Sequence, residues 1–143
     1  MKPVLISIKP EHVLNILGGS KTVELRKRGF PDCRIIIMYV TSPVKGLIGA
    51  LEVSEVITAS KETVWLMYGR ETCITKEQFD EYYVGRHWAV AVKISRVIKF
   101  KPMLDPKKVI PNFHAPQSWV YISKDISDII KSISEEAEEH GKE

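Results

Sequence analysis

Three apolar runs rich in β-branched residues constrain the fold of this chain most. They are RIIIMYVTS from residue 34, GLIGALEVSEVIT from residue 46 and HWAVAVKISRVIKF from residue 87. The first two runs predict two central strands, the second of them long enough to bend at Gly49, and the third predicts a long strand that crosses a small barrel. Because the intervening segments show no regular alternation of strand and helix, the pattern favours a small mixed β-barrel of the α+β class over a doubly wound parallel sheet.

Shorter elements are expected around these strands. PVLISI predicts a first strand, and Pro10 with the apolar stripe of EHVLNIL predicts a helix that Gly18 and Gly19 close. Ser60 is a candidate N-cap for a second helix, and Thr75 with Gln78 forms a capping-box pattern before a third.

The C-terminal part is expected to change character. Residues 102–122 are punctuated by proline and predict irregular structure, and a last helix is expected over about residues 123–139. One apolar stripe marks that helix: Ile126, Ile129, Ile130 and Ile133. At 143 residues, the chain is expected to form a single domain over residues 1–143, with the barrel at about 3–122.

Charge is distributed unevenly along the chain. The last ten residues, SEEAEEHGKE, hold five acids and one base, and removing this charge of −4 from the total of +3 leaves residues 1–133 at +7. A basic body attracts polyanions. A segment between residues 93 and 108 is rich in positive charge. It forms either a solvated surface or a surface that contacts the phosphates of a bound nucleic acid: Lys93, Arg96, Lys99, Lys101, Lys107 and Lys108.

Several classes of protein are disfavoured by composition. Cys33 and Cys73 lie apart from each other and from histidines, which predicts reduced, buried thiols and no metal site. No cofactor is expected. Without a signal-peptide pattern or a long apolar run, we expect a cytoplasmic protein that does not contact membranes. The oligomeric state stays open.

The stretch GGSKTVELRKR, residues 18–28, allows two interpretations. From Thr22 onwards the period of two places Val23 and Leu25 on one strand face and charged residues on the other. A solvated strand face explains this pattern without any function. Alternatively, Glu24 and Arg26 address one ligand held over their shared face, with Lys21 reaching the same place.

The order of residues in this stretch resembles the G-x-K-x-x-E-x-R signature of the ASCH family, whose domains have a PUA-like barrel. Gly19, Lys21, Glu24 and Arg26 occupy the motif positions. The segments ISIKPEHVLNIL and YYVGRHWAVAVKI extend the similarity to about residues 3–122, and they resemble archaeal members in particular. Some of those members carry a helix-turn-helix as well, but none is visible in this sequence.

The resemblance implies a cleft that binds RNA or a nucleotide-like small molecule. Arg26 would donate to a phosphate or base edge, Lys21 would supply a mobile cation, and Glu24 would accept from an amino group or hold Arg26. Three weaker candidates for ligand contact are Arg28, Tyr83 and Arg86, which lie near Tyr82 and Trp88 in a mixture of basic and aromatic residues.

Two other functions stay open from the sequence. Relatives of this family include amidohydrolases acting on N4-acetylcytidine, but they have a threonine where Glu24 stands here, and Thr22 is displaced from that position by two residues. A pair formed by Lys21 and Glu24 would also suit hydrolysis or a ribonuclease. The third class is a protein-interaction module that uses the stripe of the terminal helix.

Overall fold

The computed structural model describes the backbone of residues 1–142 and the side chains of residues 1–133. Within this part of the chain there are six strands: β1 (Val4–Ile8), β2 (Val23–Arg26), β3 (Ile35–Val40), β4 (Gly46–Ser60), β5 (Trp88–Leu104) and β6 (Trp119–Tyr121). The α-helices of the same part are α1 (Pro10–Leu17), α2 (Lys61–Tyr68), α3 (Lys76–Tyr82), α4 (Pro106–Val109) and α5 (Lys124–Lys142).

The strands form one curled sheet in the order β2-β5-β4-β3-β1-β6. The pairing of β1 with β3 is parallel, whereas the other pairings are antiparallel. β4 and β5 are long, with 15 and 17 residues, and their register shifts between Leu47 and Gly49. This shift makes the strand irregular where a bend is predicted. A Cβ at Gly49 would lie 2.5 Å from the carbonyl oxygen of Ile98, so the backbones approach too closely there for any side chain. The predicted α+β class with a barrel-like sheet is confirmed.

The helix ends follow local sequence signals. Pro10 lies in the first turn of α1, and the Ser60 side chain accepts a hydrogen bond from the Thr63 backbone at the start of α2. Thr75 and Gln78 form the reciprocal capping box of α3. These caps satisfy backbone N–H groups that have no partner inside the helix.

The sheet is buried on both faces in its central part. Val90 and Val92 of β5 pack into a core cluster with α1, whereas Ala89 and Ala91 pack into a second cluster under α2 and α3. A third cluster lies between the sheet and α5. β2 at the edge of the sheet pairs with β5, and its Val23 and Leu25 pack into the cluster under α2 and α3.

Three expectations need correction. The segment 102–122 is not wholly irregular, because β5 continues to Leu104, α4 follows, and β6 pairs with β1. The stripe of α5 is only half covered: Ile130 is buried, but Ile129 is 52% exposed and Ile133 is 36% exposed. α5 also continues to Lys142, and the side chains of the acidic tail lie outside the described residues.

The two cysteines differ in their surroundings. Both are free, but Cys33 is buried whereas Cys73 is exposed, so the prediction of two buried thiols is wrong for Cys73. Burial raises the pKa of the Cys33 thiol to about 11. None of the helices in the described part of the chain has the length and apolar character needed to cross a membrane.

Candidate nucleic-acid interface

β2 carries the charged residues of the opening motif, and its charged face is not solvated. All four of its residues are buried, and Glu24 and Arg26 are only 6% and 8% exposed. The interpretation of this stretch as a strand with one solvated face is therefore wrong for these two residues. Buried charges are stable only when they are paired and hydrogen-bonded, so their partners define the local structure.

Lys21, Glu24 and Arg26 form a connected group, which we call the ion triplet. The Lys21 Nζ lies 3.5 Å from Glu24 Oε1, and an Arg26 guanidinium nitrogen lies 3.2 Å from Glu24 Oε2. Glu24 Oε1 also accepts from the backbone N–H of Leu25 at 3.2 Å. Both oxygens of the carboxylate are therefore engaged, and the triplet carries a formal charge of +1.

Backbone carbonyls from two other parts of the chain hold the cations in place. Lys21 Nζ donates to the carbonyl of Thr72 at 2.6 Å, and Arg26 donates to the carbonyl of Ser7 at 3.0 Å. Arg26 also donates to the Ser118 hydroxyl at 3.5 Å. Its Nε is buried and has no partner among the described side chains and backbone. The ion triplet is thus held by partners from several parts of the chain, and the Arg26 Nε–H stays buried without one.

The ion triplet lies at a cleft of about 520 Å³. The cleft is bounded by the end of β1, the start of α1, β2, α3 and the segment before β6. Its lining has four cationic and two anionic side chains, giving a formal charge of +2 with histidine neutral: Lys9, Lys21, Arg26 and Lys27 against Glu11 and Glu24. The cleft is therefore suited to an anionic ligand.

Two titratable side chains in the cleft lining have shifted pKa values. Burial lowers the pKa of His12, and although Glu24 opposes this shift, the neutral imidazole is favoured. Burial raises the pKa of the Tyr82 phenol, which keeps its proton. The cleft therefore holds a neutral imidazole, able to accept a proton, and a protonated phenol, able to donate a hydrogen bond.

Other residues proposed from the sequence lie outside this cleft lining. Gly19 has a φ of +83° at the end of α1, and Thr22 is exposed and precedes β2. Arg28 and Arg86 are exposed on the surface beyond the cleft. The structure thus brings together Lys21, Glu24 and Arg26, but not Gly19 or Thr22.

Tyr83 does not contact the cleft, contrary to its proposed role as a stacking surface. Its side chain is fully buried in the cluster under α3, and its hydroxyl donates to the Arg26 carbonyl at 2.8 Å. Burial raises the pKa of this phenol. Tyr83 therefore supports β2 from beneath the ion triplet, whereas its neighbour Tyr82 lines the cleft.

Sequence reasoning missed Ser7, His12 and Ser118 as parts of the site. All three residues lie more than ten positions from Arg26 in the sequence. β1 and β6 lie at the other end of the strand order from β2, and the curling of the sheet brings Ser7 and Ser118 to Arg26. No local pattern marks these residues. Among the side chains that the structure describes, no group of three or more His, Cys, Asp and Glu residues could hold a metal ion.

Comparisons with known proteins agree with this architecture. Residues 4–113 match a family described as "Domain of unknown function (DUF365)". An ASCH domain-containing ribonuclease of Zymomonas mobilis is 33% identical over 142 residues, covering 96% of this chain and 95% of that protein.

Solved structures of an ASCH protein from Zymomonas mobilis are also similar. One has a TM-score of 0.84 with 31% identity and covers 93% of this chain and 96% of that one. A serine-to-alanine variant of the Zymomonas protein has a TM-score of 0.85 with 28% identity and the same coverages.

The curled sheet with its helices, matched by the solved ASCH structures, defines a PUA-like domain. The chain belongs to the ASCH domain family, as the extent and the identity of these matches show.

Proposed function

We propose that this protein binds single-stranded RNA, with one nucleotide held in the cleft over the ion triplet. The observation that carries the proposal is the pairing of three buried charged residues at the floor of a basic cleft. Burying charges is costly, and a hydrophobic floor would serve stability equally well. The name of the Zymomonas relative, a ribonuclease, supports RNA as the ligand.

The ion triplet is suited to nucleotide recognition because its geometry is set before a ligand binds. The Ser7 carbonyl, the Ser118 hydroxyl and the Glu24 carboxylate orient the guanidinium of Arg26, so little side-chain entropy is lost on binding. The Arg26 Nε–H has no partner among the described residues, and we assign this donor to a phosphate or base edge of the ligand. The volume of about 520 Å³ lies within the usual range for small-ligand sites.

A salt-dependent titration of a labelled single-stranded RNA tests this proposal. We expect affinity to fall steeply as salt rises, and Arg26→Met to reduce the salt slope by about 0.7 for one lost phosphate contact. Arg26→Lys keeps the charge but removes the planar donor, so it should also weaken binding. Lys27 is unsuitable as a control because it lines the cleft itself.

Lys99→Ala is the matched control. Lys99 is exposed on β5, opposite Gly49, and belongs to the separate positive segment between residues 93 and 108. A larger loss from Lys99→Ala than from Arg26→Met would place RNA on that segment and contradict the proposal. Affinity that does not depend on salt would contradict it as well. A competing mononucleotide distinguishes RNA from a free nucleotide as the preferred ligand.

Ribonuclease activity is a second candidate function, favoured by His12 in the cleft and by the Zymomonas relative's name. RNA supplies its own nucleophile: the 2′-oxygen bonds to phosphorus and the bond to the 5′-oxygen breaks, leaving a cyclic phosphate. A neutral His12 would accept the 2′-hydroxyl proton, and water would protonate the departing 5′-oxygen. Cleavage of RNA that persists in His12→Gln would contradict this role.

Amidohydrolase chemistry is less well supported by the geometry. Lys21 donates to a carbonyl and a carboxylate, and it has no hydroxyl partner among the described residues. Thr22 lies outside the cleft lining, and Glu24 has both oxygens engaged. We therefore expect negligible release of cytidine from N4-acetylcytidine, measured by chromatography with Lys21→Ala as the control. Turnover that this substitution abolishes would make amidohydrolysis the function.

A further inference from the structure

Three consecutive basic residues lead from the cleft to the neighbouring surface. β2 ends at Arg26, which belongs to the floor. The next residue, Lys27, has its Nζ 4.8 Å from the ring centre of Tyr82 at the rim of the cleft. Arg28 follows, and its guanidinium carbon lies 5.6 Å from the ring centre of Trp88. The positive charges therefore form a continuous path out of the cleft.

We name Lys27, Arg28, Tyr82 and Trp88 the rim platform. Tyr82 and Trp88 are each 38% exposed, which is unusual for rings that could otherwise be buried in a core. Arg86 and His87 lie in the connection between them, and His87 packs edge-on against Trp88 with ring centres 4.6 Å apart. The platform thus combines exposed rings with cationic groups.

The local fold explains why these residues meet. α3 ends at Tyr82, and the chain turns at Gly85, where φ is +71°. β5 then begins at Trp88 and runs antiparallel to β2, with Arg26 opposite Val90. Arg28 lies two residues after Arg26, and Trp88 lies two residues before Val90. Continuing the antiparallel register therefore brings their side chains together. The platform is therefore built by the same strand pairing that buries the ion triplet.

The chemistry of the platform fits single-stranded RNA better than a protein partner. Bases stack on exposed aromatic rings and on guanidinium planes, and phosphates are attracted by lysine and arginine. A protein interface centre would be expected to be depleted of charge, whereas here each exposed ring is paired with a cation. The path also begins in a cleft whose lining has a formal charge of +2.

We propose that an RNA strand whose nucleotide occupies the cleft continues over the rim platform, where bases stack on Tyr82 and Trp88. The proposal rests on the cleft function above and extends it from one nucleotide to several. It requires that affinity increase with the length of the strand. It also requires that this increase depend on Trp88, which lies outside the cleft lining, whereas the cleft accepts a mononucleotide without this ring.

Binding of two ligands by platform variants tests the proposal. The ligands are adenosine 5′-monophosphate and a labelled single-stranded RNA of about ten nucleotides, within the length that one binding domain covers. Trp88→Leu should weaken binding of the longer RNA by roughly 5- to 150-fold, which corresponds to one lost stacking contact. It should leave the affinity for the mononucleotide within about two-fold of that of the unaltered protein, a smaller change than the loss of one stacking contact would cause. Trp88→Phe keeps a ring and should restore most of the affinity.

Tyr121→Leu is the matched control. Tyr121 is 49% exposed and has the Lys2 Nζ 5.7 Å from its ring centre, but it belongs neither to the cleft lining nor to the rim platform. Equal losses from Trp88→Leu and Tyr121→Leu would overturn the platform proposal, as would an unchanged affinity of Trp88→Leu for the longer RNA. If the mononucleotide still bound in that case, the cleft function would stand. Failure of both ligands to bind the unaltered protein would overturn the cleft function and the platform together.

Discussion

Replacing Glu24 by glutamine removes the one negative charge between two buried cations. Lys21 and Arg26 would keep their carbonyl partners at 2.6 Å and 3.0 Å, but the formal charge of the ion triplet would rise from +1 to +2. Breaking a buried ion pair by removing one partner costs about 3–5 kcal/mol. Since the carbonyl contacts and the shape of the side chain are retained, we expect Glu24→Gln to lower the free energy of unfolding by about 3 kcal/mol.

A second substitution separates charge imbalance from loss of packing. Lys21→Met in the Glu24→Gln background returns the formal charge of the group to +1, because one cation and one anion are then removed together. The two substitutions should be non-additive, with the double variant more stable than the sum of single losses predicts by about 1–3 kcal/mol. This coupling is expected because the two side chains are in contact.

Urea denaturation followed by circular dichroism measures these differences. The midpoint should fall in Glu24→Gln while the slope stays constant, which indicates a change in stability without a change in the surface exposed on unfolding. Glu52→Gln is a suitable control, since Glu52 forms an exposed pair with Arg96 at 3.4 Å and should change stability by less than about 1 kcal/mol. A Glu24→Gln variant as stable as the Glu52→Gln control would refute the reasoning about the ion triplet.

Two further predictions concern the residues around the ion triplet. Burial lowers the pKa of His12 from 6.5, against the attraction of Glu24, so protonation adds a charge to the cleft only below that pH. RNA affinity should therefore rise as pH falls further below 6.5, while the free energy of unfolding falls because the unfolded chain binds the proton more readily. Both trends should be weaker in His12→Gln, and pH trends identical in the two proteins would contradict this assignment. Tyr83→Phe removes the hydrogen bond to the Arg26 carbonyl and should cost about 1 kcal/mol in urea unfolding; an unchanged midpoint would show that this bond does not stabilise β2.

Local signals in the sequence predicted the secondary structure well where short-range chemistry determines it. Helix starts are an example. Ser60 and the Thr75–Gln78 capping box accept hydrogen bonds from backbone N–H groups of the first helical turn, and Pro10 has no N–H that would need a partner. Residues within one turn are therefore sufficient to identify these starts. The β-branched runs predicted β3, β4 and β5 for the same reason. The short β6 carries no such run, and its pairing with β1 depends on tertiary contacts.

The environment of the ion triplet could not be predicted from the motif alone. Alternation along β2 distinguishes two faces but cannot tell which of them other elements cover. Arg26 finds its partners at Ser7 and Ser118, and Lys21 finds one at Thr72, all of them distant in sequence. The same reason explains the mistake about Tyr83, because two adjacent tyrosines at the end of α3 differ only in which one faces the core.

The most direct test of the central claim is to map where RNA binds. Backbone amide shifts of the isotope-labelled protein can be followed by NMR during titration with a single-stranded RNA carrying 2′-O-methyl groups, which cannot be cleaved through its 2′-oxygen. We expect the largest changes to cluster around the cleft, at residues 21–26, His12 and Ser118, and to continue towards Tyr82. Changes confined to the positive segment between residues 93 and 108, with the amides of the ion triplet unmoved, would contradict it.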